Sequence, residues 1–192
     1  MTSKQQANWS PYNNNGGMCV AIARSNYCVI AADMRLSTGY SILTRDYSKL
    51  HKLADKSILA SSRFQADIKA LQKHLSTKHL IYQHQHNKQM SYPGCVFTYD
   101  AVGSYERVGY SSQGSGSTLI TPVLDNQLKS PSPLLIPRGT FVTPLSETEA
   151  VDLVKDVFTS APERDIYTGD RVEITIVNAA RIRQEYAELR KE

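Results

Sequence analysis

Two apolar runs open the chain. Met18–Ala23 and residues 27–32 are almost continuously apolar and are separated by the turn-like Arg24-Ser25-Asn26. This pattern predicts a β-hairpin, and the lack of polar alternation predicts a sheet covered on both faces. A third strand is predicted at residues 57–61. From about Gln65 to Gln89, Ile68, Leu71, Leu75 and Tyr82 recur at mostly three- and four-residue steps, predicting a long helix with one apolar stripe and a polar C-terminal end. Residues 94–99 and 106–111 predict a second hairpin around Asp100-Ala101-Val102-Gly103. Ser117–Leu128 predicts a helix with Pro122 held near its first turn. Residues 130–144, with four prolines, read as a loop. Ser146 and Glu149 form a capping box ahead of Ala150, Val151, Val154, Val157 and Phe158, an amphipathic helix. Residues 171–178 alternate as a strand, and residues 184–192 read as a charged tail. Clustered hairpins and clustered helices give an α+β fold rather than alternating βαβ units.

Composition narrows the function classes. A chain of 192 residues suits one domain with a genuine core. The net charge of +4 is spread without a basic run or interleaved aromatics, so nucleic acid is not an expected partner. No apolar stretch is long enough for a membrane-spanning helix, and none is expected. The polar, Asn-rich start makes residues 1–16 an arm or removable leader, with residues 17–192 as the single domain. Cys19, Cys28 and Cys95 are an odd set. The first two lie in strand-like runs, where a reduced cysteine packs as a small hydrophobe, as in a reducing compartment.

Several motifs in fixed order carry a family resemblance: Trp9-Ser10-Pro11-Tyr12, Gly16-Gly17, Ala31-Ala32-Asp33-Met34-Arg35, Thr44-Arg45-Asp46-Tyr47, Asp100-Ala101-Val102-Gly103-Ser104-Tyr105, Pro122-Val123-Leu124-Asp125-Asn126-Gln127 and Glu163-Arg164-Asp165-Ile166-Tyr167-Thr168-Gly169-Asp170. From about Trp9 to the C-terminus the chain resembles β-type subunits of the 20S proteasome, in particular the non-catalytic kind at the sixth position of the β ring. The resemblance implies an αββα sandwich of the N-terminal-nucleophile hydrolase type. It also implies partners, namely other proteasome α and β subunits in stacked seven-membered rings, and a place in cytoplasm and nucleus within ubiquitin-dependent degradation.

In catalytic relatives a threonine hydroxyl attacks the scissile carbonyl and its own α-amine is the base; a lysine and acidic residues tune the site. Lys49 follows Asp33 by sixteen residues. The same interval back from Asp33, as the family spacing requires, reaches Gly17, which has no hydroxyl. Gly16 and Met18 supply none, and Cys19 is internal to a strand. By the same resemblance Arg63 stands where a glycine amide supplies the oxyanion donor; its side chain would crowd the substrate path and a positive φ would strain it. No catalytic residue is therefore expected. Asp33, Lys49, Ser115, Asp165 and Thr168 are expected to be structural: Asp33 and Lys49 as a partly buried ion pair, Asp165 and Thr168 as partners of backbone groups before the last strand.

No metal site is expected of His74, His79, His84 and His86, since residues two apart do not share a helix face. Gly114-Ser115-Gly116-Ser117 lacks the lysine of a phosphate-binding loop, and no cofactor is expected. Tyr105 and Tyr110 suit an interface or core. Arg24 and Arg63 replace residues usually glycine in such relatives, and Met34 replaces a small hydroxyl residue. The largest departure lies between Met90 and Gly94, where related subunits carry about thirty further residues that form a second helix and a central strand. The sandwich should thus be incomplete, with strand edges left unpaired or paired anew, and less stable than an intact subunit. The expected function is that of a non-catalytic structural subunit. The alternatives are a threonine-type endopeptidase and a truncated paralogue acting only as an interaction protein.

Overall fold

The computed structural model describes residues 13–87, 94–100, 102–128 and 145–189. Its centre is a five-stranded antiparallel sheet in the order β11-β10-β2-β1-β9. These strands are β1 (Met18–Ala23), β2 (Tyr27–Asp33), β9 (Tyr110–Gly114), β10 (Arg171–Asn178) and β11 (Ile182–Glu188). The expected first hairpin is present: Ala23 pairs with Cys28 and Cys19 with Ala32.

The near-continuous apolar reading of β1 and β2 has its cause in two covered faces. Val20, Ile22, Val29 and Ala31 point into a core shared with Ile120, Leu124, Val154, Phe158 and Ile174. These partners come from β10 and from α2 (Ser117–Leu128) and α3 (Glu147–Ser160). Burying each of the Val, Ile, Leu and Phe side chains contributes about 1.5–3 kcal/mol. Cys19, Ile30 and Ala32 point to the opposite face and pack with Leu50. The capping box of α3 is formed: Glu149 N–H donates to Ser146 Oγ at 3.3 Å and Ser146 N–H to Glu149 Oε2 at 2.8 Å.

The second layer is built of separate pieces. They are β3 (Leu36–Thr38) with β4 (Ser41–Thr44), β5 (Leu50–Ala54) with β6 (Ser57–Ala60), and β7 (Val96–Tyr99) with β8 (Tyr105–Val108), each a two-stranded ladder of its own. The β7–β8 hairpin lies on the Cys19 face. Gln113, directly opposite Cys19 in the ladder, donates from Nε2 to Thr98 Oγ1 at 3.2 Å. The architecture is the expected α+β sandwich, with its second sheet broken into hairpins.

Three expectations need correction. The strand predicted at 106–111 is two strands, because the chain turns at Gly109 and β9 leaves β8 to pair with β1. The tail predicted at 184–192 is β11 up to Glu188, since its alternating residues edge the sheet along β10. The helix expected at Ser117–Leu128 is α2, and Pro122, just past its first turn, forgoes one amide bond while flanking Ile120 and Leu124 remain buried. The apolar stripe of α1 (Gln65–His86) is only partly covered: Ile68 is buried and Leu75 and Tyr82 are half-buried, but Leu71 is 47% exposed. The predicted loop at 130–144 and the motif at 9–12 lie outside the described residues.

Candidate functional site

Asp33 ends β2 and Lys49 immediately precedes β5, so sheet and hairpin meet at this pair. Lys49 Nζ donates to Asp33 Oδ2 at 2.8 Å and to the Arg35 carbonyl at 2.6 Å. Met18 N–H donates to Asp33 Oδ1 at 2.6 Å and Arg35 N–H to Oδ2 at 3.2 Å. Both side chains are 0% exposed, so the pair is wholly buried rather than partly so. Burial pushes the Asp33 carboxyl up, against the opposing pull of Lys49 and the two amides. A fully satisfied buried pair of this kind fixes geometry, and removing one partner leaves a stranded charge.

Gly17 sits directly on the pair with φ +87°. A Cβ there would overlap Lys49 Nζ and stand 2.6 Å from Lys49 Cε and 2.9 Å from Asp33 Oδ1. The absent side chain is therefore matched by an absent space.

A second cluster adjoins the same glycine. Ser115 Oγ and Thr168 Oγ1 each donate to Asp165 Oδ2 at 2.7 Å. The Ser115 N–H also donates to the Gly17 carbonyl at 3.0 Å, and its Oγ lies 3.3 Å from the same oxygen. Tyr167 N–H donates to Asp165 Oδ1 at 3.1 Å, the expected satisfaction of a backbone group before β10. Asp33 and Lys49 thus hold the start of β1 from one side, and Ser115, Asp165 and Thr168 from the other.

Arg63 has φ +79°, the conformation that suited a glycine. Its N–H, the donor an oxyanion would need, is occupied by the Gly16 carbonyl at 3.0 Å. Its side chain is exposed.

Two contributors were not legible in the sequence. The first is Asn15, which bridges two segments as a short strand would: its N–H donates to the Arg63 carbonyl at 3.2 Å, and its carbonyl accepts from Ser37 N–H at 3.3 Å. Its Nδ2 donates to the Ser37 carbonyl at 3.2 Å, and its Oδ1 accepts from Gln65 N–H at 3.2 Å. Asn15 and Gly16 thereby lie buried between β3 and Arg63. The second is Arg35, whose Nε donates to Asp170 Oδ2 at 2.7 Å and whose guanidinium also reaches the Ile166 carbonyl at 2.9 Å, anchoring the loop that carries Asp165 and Thr168. Asn14-Asn15 beside Gly16-Gly17, and an Arg two residues after Asp33, were the available signals.

Cys19 lies within β1. It is buried, and burial together with the Asp33 charge pushes its thiol up to about 12. Among the described residues no group of three or more His, Cys, Asp or Glu side chains is gathered as metal ligands, and the α1 histidines are not brought together.

The family model described as proteasome subunit matches residues 13–96 and 92–177. The two blocks meet at the junction of α1 and β7. Proteasome subunit beta type-1 of Petunia hybrida is 65% identical over 222 residues, covering 99% of this chain and 100% of the relative. The Arabidopsis thaliana subunit of the same description is 64% identical over the same span and coverage, and that of Dictyostelium discoideum 40% identical over 212 residues, 93% of this chain and 89% of the relative. An aligned span of 222 positions exceeds the 192 residues present, so the first relative carries a stretch with no counterpart here. With motif order, buried pair and broken second sheet all in agreement, the chain belongs to the proteasome subunit family, as a β-type subunit similar to its beta type-1 members.

Proposed function

We propose that this chain is a non-catalytic structural subunit of the 20S core particle. It contributes wall and contacts to the chamber, in rings with other α and β subunits in cytoplasm and nucleus, while neighbouring subunits cut peptides for ubiquitin-dependent degradation. The carrying observation is Gly17: it has no hydroxyl, and Lys49 occupies the volume in which one would stand. Two further features support the reading. The arm at Asn15 and Gly16 takes the backbone partners of Ser37 and Arg63, leaving no free ladder there for a peptide. The Arg63 amide is already committed to Gly16. A tagged chain should co-purify with the particle, and an irreversible epoxyketone that labels catalytic subunits should leave it unlabelled. Labelling of this chain would overturn the reading.

One observation favours a second reading. The junction that splits the family match coincides with a second sheet broken into hairpins. This suits a shortened paralogue that binds assembly partners without entering the ring. Native mass measurement separates the two: the structural subunit migrates with the full particle, the interaction protein with small complexes only.

A further inference from the structure

The β7–β8 hairpin lacks a ladder to any other strand of the described residues, yet its entrance is pressed against the start of β2. A Cβ on Gly94 would stand 2.5 Å from the Arg24 carbonyl oxygen, 2.8 Å from the Tyr27 oxygen and 3.1 Å from the Tyr27 carbonyl carbon. That carbonyl belongs to the peptide joining Tyr27 to Cys28, and Gly94 is bonded to Cys95. Two cysteines far apart in sequence thus each adjoin the same backbone contact, near enough for Cys95 to act on the Cys28 thiol. Strand alternation puts Cys28 on the face of Ile30 and Ala32, the face that carries the hairpin. Both thiols are free and part-buried, whereas Cys19 is buried.

We propose that Cys28 and Cys95 form a reversible disulfide that clamps the β7–β8 hairpin to the central sheet, with glutathione disulfide or a similar small disulfide as the oxidant. The Cys95 thiolate attacks one sulfur of glutathione disulfide; its S–S bond breaks and one glutathione thiolate leaves. Cys28 then loses its proton to solvent and attacks the Cys95 sulfur, forming the protein disulfide and releasing the second glutathione. Two protein thiols are oxidised and one glutathione disulfide is reduced to two thiols. Burial, followed by the neighbouring Cys95, pushes the Cys28 thiol up to about 12, so Cys28 ionises seldom near neutral pH and its attack on the mixed disulfide is the slow step. The clamp ties together segments on either side of the junction where relatives carry additional chain, so it restrains the element that the shortened second sheet holds least.

The test uses the full-length reduced chain, treated with glutathione disulfide and digested with trypsin without reduction. Cleavage after Arg24 separates Cys19 from Cys28, so mass spectrometry distinguishes the pairings. The expected product is lighter by two hydrogens, links the Cys28 and Cys95 peptides, and melts about 5 °C or more above the reduced form. Cys95→Ser should lose both the link and the shift. A lasting glutathione adduct, linkage through Cys19, three free thiols, an unmoved midpoint, or a shift that persists in Cys95→Ser would each overturn the proposal.

Discussion

Lys49 and Gly17 are complementary: the ammonium of one fills the volume into which a side chain on the other would grow. The lysine is held there by Asp33 and the Arg35 carbonyl, so it cannot move aside without breaking a buried ion pair. Restoring the missing residue type is therefore a different operation from restoring its site.

Gly17→Thr is expected to destabilise the chain by about 1–3 kcal/mol, from a β-branched residue at positive φ together with overpacking. It should also acquire no covalent label from a threonine-directed electrophile. Urea denaturation and intact mass measurement check the two halves. A variant of unchanged stability, or one that labels, would contradict the geometry.

Lys49→Met should cost about 3–5 kcal/mol, because it strands the Asp33 carboxylate in a dry site. Adding Asp33→Asn should recover part of the loss, since the stranded charge is then gone. Chemical denaturation of the single and double variants measures the coupling. Strict additivity would mean that the two side chains do not act as a pair.

Asp170 gives a pH signature. Burial by itself would raise its carboxyl, but hydrogen bonds and charge from Arg35 and Arg45 outweigh it and hold the group below the usual carboxylate range. A depressed folded value means the carboxylate stabilises the fold above the unfolded value of about 3.9 and loses that contribution as pH falls through the lower folded one. Asp170→Asn tolerates the same φ of +67°. The stability gap between the native chain and this variant should be full at neutral pH and close below about pH 4. A gap independent of pH would assign the effect to packing instead.

The exposure of Leu71 on α1 predicts a contrast between two leucines. Leu71→Ala should change stability by less than about 0.5 kcal/mol, whereas Leu124→Ala, at a fully buried site, should cost about 2–5 kcal/mol. Inserting the additional stretch of the Petunia hybrida relative between α1 and β7 should raise the melting midpoint, as strand edges and the stripe acquire cover. Equal midpoints would show that the hairpins suffice alone.

The first hairpin, the capping box of α3 and the alternation of β10 were legible because each is decided within a few residues. The stripe of α1 was legible as periodicity but not as burial, because what covers a helix face is set by elements distant in the chain. β11 was missed for a similar reason: Glu185, Tyr186 and Glu188 suit an edge strand and a solvated tail equally until β10 is placed beside them. At the site, sequence located Asp33, Lys49, Ser115, Asp165 and Thr168, but it gave only part of their burial and, in Asn14-Asn15 beside Gly16-Gly17, no more than a composition signal for the role of Asn15.

By itself, the order of residues determined that position 17 is a glycine without a hydroxyl, and no folding supplies one there. It also determined the family and the place where chain is missing, because motif identity and spacing are covalent facts. Only the tertiary structure decided that Lys49 stands in the vacated volume, that the arm occupies Ser37 and Arg63, and that Cys28 and Cys95 are neighbours. Each of these brings together residues far apart along the chain, and such closeness is fixed by how sheets and hairpins stack, which local pattern does not encode.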